Sequence, residues 1–334
     1  MRGMLVITGG AGFIGSNLVA ALEARGEAAD LVVCDRLESG DKWRNIAKRE
    51  LAAIVPPEEL LAFLDAHAGG GGVRAVFHLG AISSTTETDA DLIVRTNFTL
   101  SLALWDWCAA HDAPFLYASS AATYGGGEAG FADADDTASL VRLRPLNAYG
   151  WSKHLFDRRV ARLVERNAPR PPQWAGAKFF NVYGPNEYHK GSMKSVVAQL
   201  FPRARDGEPA RLFRSHRPDV PDGGQMRDFV HVDDVVDMML WLYDHPSVSG
   251  IFNMGSGKAR SFADLATAVY RALDREPVLE FVDTPAEIRA KYQYFTEARI
   301  DRLRALGYAR PTTPLEQGVA DYVRRHLATD DPYR

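Results

Sequence analysis

The fold class this sequence predicts is α/β: a doubly wound parallel sheet with a smaller, discontinuous C-terminal lobe. Three observations carry it. Short β-branched runs alternate with longer helical patterns, the first run opens into a glycine-rich turn, and the strand-like runs are apolar on both faces. A parallel sheet covered by helices on each side satisfies all three. With 334 residues and 46% hydrophobic content, the chain can bury a large core in one α/β unit or in two lobes that share a cleft.

Met4–Thr8 reads as the first strand, Gly12 to about Arg25 as a helix, and Leu31–Asp35 as the second strand, with further strands at Val73–His78 and Phe115–Ser119. Helices are predicted over Asp89–Ala109 and about Leu146–Glu165, and a strand over Ala177–Asn181. Gly69-Gly70-Gly71-Gly72 and Gly125-Gly126-Gly127 read as loops. After Gly184-Pro185 the pattern shortens and becomes irregular, which marks the smaller lobe. Arg227–Val230, the helical stretch Val232–Tyr243 and the strand Gly250–Asn253 again look like sheet-and-helix material. Residues 1–182 are therefore expected to form the sheet domain, rejoined by roughly 227–255, with 183–334 supplying mainly the second lobe. Arg214 to Gln225, with Pro218, Pro221 and Gly223-Gly224, reads as a mobile surface loop.

Charge narrows the partners. The 39 basic and 43 acidic residues are mixed along the chain for a net charge of -4, which gives no reason to expect nucleic acid or a membrane surface. Small molecules and copies of the chain itself are the expected partners. Cys34 ends a strand and Cys108 lies in an apolar helix, so buried free thiols are expected rather than a disulfide or metal site. Met1-Arg2-Gly3 runs straight into the first strand, too short for a signal-peptide apolar region, and no stretch is apolar enough to span a bilayer. A cytoplasmic setting is expected.

Gly9, Gly12 and Gly15 stand at three-residue spacing in Thr8-Gly9-Gly10-Ala11-Gly12-Phe13-Ile14-Gly15, after a strand and at the opening of a helix. Glycines there permit a tight turn and close approach of the backbone to a pyrophosphate at the helix N-terminus, the arrangement of a dinucleotide site. Asp35 ends the second strand about 20 residues on, where a carboxylate accepts hydrogen bonds from the adenosine ribose. Arg36 and Lys42 follow, two cations that suit a ribose 2′-phosphate, so NADP is expected ahead of NAD. Without clustered His, Cys or carboxylate partners at ligand spacing, His189 is not expected to hold a metal.

Tyr149 and Lys153 lie four apart, on one face of the predicted helix. An ammonium beside a phenol favours the phenolate and lowers the tyrosine pKa, which suits proton exchange with a sugar alcohol. Ser119-Ser120 ends a strand upstream. Downstream, Asn181 to Ser195 places a second lysine, Lys190, in a polar stretch. A plain dehydrogenase needs one acid/base group, whereas an enzyme that takes hydrogen from a carbon and returns it to the opposite face can use two.

The order Gly-x-x-Gly-x-x-Gly, strand-end Ser-Ser-Ala, Tyr-x-x-x-Lys and Asn-Val-Tyr-Gly-Pro resembles the extended short-chain dehydrogenase/reductase superfamily, of Rossmann fold, over nearly the whole chain. Within it, Ser83-Ser84-Thr85-Thr86-Glu87, Ser119 to Gly126 and His189-Lys190-Gly191-Ser192-Met193 are similar to the ADP-L-glycero-D-manno-heptose 6-epimerases. The resemblance implies an isomerase that holds one tightly bound NADP per subunit and interconverts the D-glycero and L-glycero forms of ADP-heptose at C6, for the lipopolysaccharide inner core. It assigns Tyr149 and Lys190 as the two acid/base residues, Lys153 to the nicotinamide ribose and to support of Tyr149, and Ser120 to the reacting oxygen. Phe13, Ile14, Leu79, Gly80, Ala81, Ile82, Ser83, Asn97, Val182 and Lys190 would line the cofactor. Ser83, Asn181, Ser192, Arg227 and Tyr292 would meet the nucleotide-sugar, and Phe213, Arg214, Ser215 and His216 match a substrate-contacting strand end. A homopentamer or related assembly is implied as well.

Leu51-Ala52-Ala53-Ile54 lacks the acidic residue usual near the adenine, which leaves backbone contacts there. Ala121-Ala122 after Ser120 lacks the Asp-Glu pair of a 4,6-dehydratase, so elimination of water is disfavoured. Epimerisation at C4 of a hexose is the nearer rival. A non-catalytic dinucleotide-binding regulator would have no use for Ser120, Tyr149, Lys153 and Lys190 together. Trp105 and Trp107 are expected to pack in the core rather than to face a sugar.

Overall fold

The computed structural model describes residues 3–69, 72–285, 289 and 292–334. Its strands, in chain order, are β1 (Met4–Thr8), β2 (Leu31–Cys34), β3 (Ala53–Val55), β4 (Val73–His78), β5 (Phe115–Ser120), β6 (Trp174–Phe179), β7 (Asn181–Tyr183), β8 (Ala210–Phe213), β9 (Met226–His231), β10 (Gly250–Met254), β11 (Ala259–Ser261) and β12 (Leu279–Val282). Seven of them form one parallel sheet in the order β10-β6-β5-β4-β1-β2-β3. Strand order reverses between β1 and β4, and the crevice beyond the strands' C-terminal ends at that switch point is where such sheets bind ligands.

The helices, in chain order, are α1 (Phe13–Ala24), α2 (Leu60–Ala66), α3 (Ala90–Ile93), α4 (Leu100–Ala110), α5 (Thr137–Leu140), α6 (Ala148–Glu165), α7 (Val196–Asp206), α8 (Val232–Asp244) and α9 (Phe262–Ala272), of which α1 and α4 pack on opposite faces of the central sheet. Leu5, Ile7, Val33 and Phe77 pack with Leu18 of α1 and Val235 and Met239 of α8, while Val6, Val32 and Val76 pack with Trp105 of α4 on the other side. This alternation explains the unbroken apolar strands, each fully buried large side chain contributing roughly 1.5–3 kcal/mol of transfer free energy. Trp105 and Trp107 are buried in that second layer, and Cys34 and Cys108 are buried free thiols. A third apolar cluster joins α7, α9, β8 and the helix Leu315–Tyr322 into the outer lobe.

Several boundaries differ from the sequence reading. The stretch read as one strand, Ala177–Asn181, is two: β6 begins earlier, at Trp174, and stays in the central sheet, and β7 leaves it to pair with β9. The Phe180 amide donates to the Met254 carbonyl and the Val182 amide turns back to Phe180, which is where the chain changes sheets. Segment 227–255 is divided too. β10 joins the central sheet and α8 packs on α1's face of it, but β9 sits between β7 and β11 in a separate three-stranded sheet. The helix predicted over Asp89–Ala109 carries a π-helical turn, Val94–Thr99, between α3 and α4. Of the four-glycine run, Gly70 and Gly71 lie outside the described residues, and Gly72 accepts a hydrogen bond from the Met4 amide. Within the Arg214–Gln225 loop the Ser215 amide donates to Asp222 at 2.7 Å, and the His216 amide donates to the Tyr294 hydroxyl at 2.9 Å. No helix among the described residues is long and apolar enough to cross a membrane.

Candidate active site

The turn after β1 holds its shape because its glycines approach other backbone closely. A Cβ at Gly9, whose φ is +66°, would lie 2.6 Å from the Gly80 amide nitrogen, and one at Gly15 would lie 2.1 Å from the Gly9 carbonyl oxygen. No side chain caps α1 at Gly12, which leaves its first amides free for an anion. Below the turn the Gly80 amide donates to Thr8 Oγ1 at 3.0 Å, Thr8 Oγ1 lies 2.7 Å from His78 Nδ1, and His78 Nε2 lies 2.9 Å from the Ser101 hydroxyl. Burial, reinforced by the Lys153 charge, pushes the His78 pKa down to about 3, so this linkage stays neutral. Asn97, projected by the π-helical turn, grips Ile82 on both sides: its Oδ1 accepts from the Ile82 amide at 2.8 Å and its Nδ2 donates to the Ile82 carbonyl at 2.9 Å.

Asp35 stands one residue past β2, where Oδ2 accepts from the Ala11 amide at 2.9 Å and Oδ1 pairs with Lys42 Nζ at 2.6 Å. Arg36 turns away to an exposed ion pair with Glu58. Asn45 donates from Nδ2 to the Ala11 carbonyl at 2.9 Å and faces His189 Nδ1 at 3.1 Å, so the glycine turn and the Lys190 segment are joined through one buried amide. Burial first, then Lys42 and Lys190, push the His189 pKa down to about 4; it is a neutral imidazole held by Asn45. Free helix-N-terminal amides, a turn with no room for side chains and a carboxylate at the end of the second strand fit a nicotinamide dinucleotide.

Tyr149 occupies the first turn of α6, whose N-cap Asn147 accepts from the Gly150 amide at 2.8 Å through Oδ1. The Ser152 hydroxyl donates to the Tyr149 carbonyl at 2.7 Å and accepts from Asn97 Nδ2 at 3.0 Å, so the helix end is tied to the Ile82 loop. Burial raises the Tyr149 pKa, opposed by the Ser120 hydroxyl and reinforced by Asp157. The expectation that Lys153 depresses it is not met here, because burial dominates. Lys153 itself is buried, and the same desolvation, opposed by Asp157, brings its pKa down to about 8. Behind both, Asp157 accepts from Ser119 at 2.7 Å and Tyr117 at 3.1 Å and pairs with Lys178 Nζ at 2.8 Å, with both charges fully buried.

Lys190 lies in the short helical turn Tyr188–Met193, kinked at Gly191, whose φ is +54°. Its ammonium sits 5.2 Å from the Phe13 ring centroid, at the mouth of the glycine turn. Burial lowers its pKa and Glu187 counteracts that. One cleft of about 780 Å³ is lined by Gly9, Gly12 to Gly15, Asp35, Lys42, Leu79 to Ser83, Ser120, Tyr149, Lys153, Asn181, Val182 and Lys190.

Other sequence-predicted residues fall outside this lining. Ser192 is exposed, with its carbonyl accepting from Gln199 at 3.1 Å. Arg227 is buried, its guanidinium 5.5 Å from the Tyr292 ring and 5.6 Å from that of Phe262, which does line the cleft; Phe213 meets Tyr292 edge-on. Arg227, Tyr292 and Phe213 thus form a cluster that reaches the cleft through Phe262. Arg214, Ser215 and His216 continue outward along the loop, Arg214 and His216 exposed. Sequence reasoning missed Thr8, His78, Asn45, Asp157, Lys178 and Glu187. Only Asp157, four residues past Lys153 on the same helix face, carried a readable signal.

A model of the NAD dependent epimerase/dehydratase family matches residues 5–255. The chain belongs to that family. An ADP-L-glycero-D-manno-heptose-6-epimerase of Nitratidesulfovibrio vulgaris is 48% identical over 333 residues, covering 99% of this chain and 100% of the relative. The crystal structure of the Helicobacter pylori ADP-L-glycero-D-manno-heptose-6-epimerase superposes with a TM-score of 0.77 at 27% identity, covering 97% of this chain and 96% of that one. MoeE5, in complex with UDP-glucuronic acid and NAD, superposes at 0.73 with 26% identity, covering 97% and 99%. Identity of 48% over the full length to a heptose epimerase marks the chain, within that family, as an epimerase, hence an isomerase, served by a nicotinamide dinucleotide. When bound, such a cofactor supplies a hydride acceptor and donor.

Proposed function

We propose that this epimerase interconverts ADP-D-glycero-D-manno-heptose and ADP-L-glycero-D-manno-heptose at C6, in the cytoplasm, for the inner core of lipopolysaccharide. The observation that carries the reading is the presence of Tyr149 and Lys190 on one cleft with the glycine turn. If the C6 carbonyl turns by half a turn between oxidation and return of hydrogen, its oxygen leaves one proton partner and needs another. In one orientation Tyr149 acts as the phenolate, taking the hydroxyl proton and becoming the phenol, with Ser120 aligning the substrate oxygen. Lys190 Nζ gives or takes the proton in the other. The identity to heptose epimerases supports this substrate over a C4 hexose.

NADP is the proposed form of the cofactor, held tightly at one per subunit. Lys42 stands at Asp35 inside the cleft and Arg36 beside it, and a 2′-phosphate would draw Lys42 from Asp35 and Arg36 from Glu58. Arg227, Tyr292 and Phe213 are proposed to hold the nucleotide-sugar from the outer lobe, with Asn181 and Ser83 on the cleft side. Self-association, as a pentamer, is proposed too, and light scattering on the purified protein reads it directly.

Incubating the cofactor-loaded protein with ADP-D-glycero-D-manno-heptose and following C6 by NMR tests the assignment. Inversion without net cofactor consumption is expected, and Tyr149→Phe and Lys190→Ala should each lower kcat by roughly 10²–10⁴-fold with the dinucleotide still bound. Absence of inversion in loaded protein would overturn the substrate; near-normal turnover in Lys190→Ala would overturn the second proton partner.

A further inference from the structure

A buried carboxylate that the proposed reaction does not use opens the turn that carries Lys190. Glu187 has no exposed surface, yet it sits three residues before the lysine at the start of the same turn, and the Lys190 amide donates to the Glu187 carbonyl at 3.1 Å. Three donors converge on its side chain: the Ser195 amide, the Ser195 hydroxyl at 2.6 Å and the Tyr322 hydroxyl at 3.0 Å. Donors on both carboxylate oxygens suit the ionised form, since a protonated carboxyl would waste one of them. Burial raises the Glu187 pKa, opposed first by the Ser195 donors and then by the charge of Lys190, three residues on.

We propose that Glu187 is a positioning residue for the second proton-transfer site: its buried carboxylate fixes the Tyr188–Met193 turn and keeps Lys190 protonated between turnovers. The proposal rests on the reading of Lys190 as a proton partner. Two anchors give the carboxylate this reach. Ser195 is the N-cap of α7 and Tyr322 ends the helix Leu315–Tyr322, so Glu187 joins the turn to two rigid elements of the outer lobe. On the opposite side the turn is fixed to the cofactor elements, because Asn186 donates to the Ser16 hydroxyl at 3.0 Å and His189 is held by Asn45. Lys190 Nζ lies 5.2 Å from the Phe13 ring centroid, three residues after Glu187 in the same turn. Tyr188 lies within the turn, Lys42 and Asp35 act on His189 from the β2 side, and Lys194 lines the rim. Of these groups, Glu187 is the one whose charge bears on Lys190, holding its pKa up against burial.

Glu187→Gln keeps the shape and removes the charge. The experiment labels the lysines of the full-length, cofactor-loaded protein by ¹³C reductive methylation, identifies the Lys190 signal by its loss in Lys190→Met, and titrates it. The expected result is a Lys190 midpoint at least about one pH unit lower in Glu187→Gln. The pH limb of kcat should move by the same amount, with KM little changed. An unmoved midpoint in a folded Glu187→Gln protein overturns the proposal, whatever the activity. A moved midpoint with normal turnover in Lys190→Ala supports the Glu187 pairing and sinks the catalytic reading instead. Should Glu187→Gln fail to fold, the reciprocal variant decides. Lys190→Met removes the cation, so the raised Glu187 pKa climbs further, and stability should fall more at pH 8 than at pH 5. A loss equal at both pH values overturns the proposal.

Discussion

Lys153 is where solvation and the proposed function conflict most openly. Its ammonium is buried beside the cleft, and desolvation takes its pKa from the usual 10.5 to about 8. That displacement corresponds to a penalty on the order of 3 kcal/mol for holding the charge at neutral pH. A lysine with a depressed folded pKa binds fewer protons folded than unfolded between about pH 8 and 10.5, so folding stability contributed by this group rises with pH across that window. Lys153→Met should therefore stabilise the cofactor-free protein near pH 7 by roughly 1–3 kcal/mol, shrink that advantage by pH 10, and abolish most turnover. Urea denaturation of both proteins at pH 7 and pH 10 checks it; a stability difference that ignores pH would contradict the assignment. At this scale, motif residues such as Asp35, Tyr149 and Lys153 were legible because spacing along one strand or helix places them. Asn45 and Glu187 were not, because their partners His189 and Tyr322 lie more than a hundred residues away and nothing local marks the pairing.

Secondary structure sets how accurately Tyr149 is aimed. Tyr149 is in the first turn of α6, and the Asn147 side chain satisfies an amide there that would otherwise have no helical partner. Asn147→Ala should cost about 1 kcal/mol and fray that turn, lowering kcat more than dinucleotide affinity, while Asn147→Asp restores both. Thermal unfolding and steady-state kinetics on the two variants separate the outcomes, and unchanged kcat in Asn147→Ala would show that Ser152 and Asn97 hold the turn alone. The same scale shows what periodicity can and cannot reveal. The long strands and helices of the sheet domain were readable from their apolar runs. The break at Phe180 was not, since β6 and β7 have continuous strand-like sequence and differ only in which neighbours they bond. The π-helical turn at Val94–Thr99 was hidden for a similar reason: one extra residue per turn leaves composition unchanged, though it aims Asn97 at Ile82.

The central and three-stranded sheets must keep register for the cleft to exist, and Asp228 of β9 is one of the links between them. Its fully buried carboxylate accepts from the Ser256 amide at 2.6 Å and hydroxyl at 2.8 Å through Oδ1, and from the Gly257 and Ala298 amides at 2.9 Å through Oδ2. Ser256 and Gly257 follow β10 of the central sheet, whereas β9 belongs to the three-stranded sheet, so one side chain bonds across the junction. Next to it in sequence, Arg227 carries the Tyr292 and Phe262 contacts of the outer cluster. In Asp228→Asn the amide cannot accept from all four donors: either orientation turns an NH₂ toward two of them. With charge-assisted hydrogen bonds worth roughly 1.5–3 kcal/mol each, the loss should be about 3–5 kcal/mol. Because the junction also aims the outer cluster, KM should rise while the residual kcat and the Lys153 and Tyr149 surroundings stay close to those of the parent. Chemical denaturation with parallel kinetics tests both halves. A loss below about 1 kcal/mol would mean that the lobes are held by the apolar contacts around α7, α9 and β8, with Asp228 a local loop anchor.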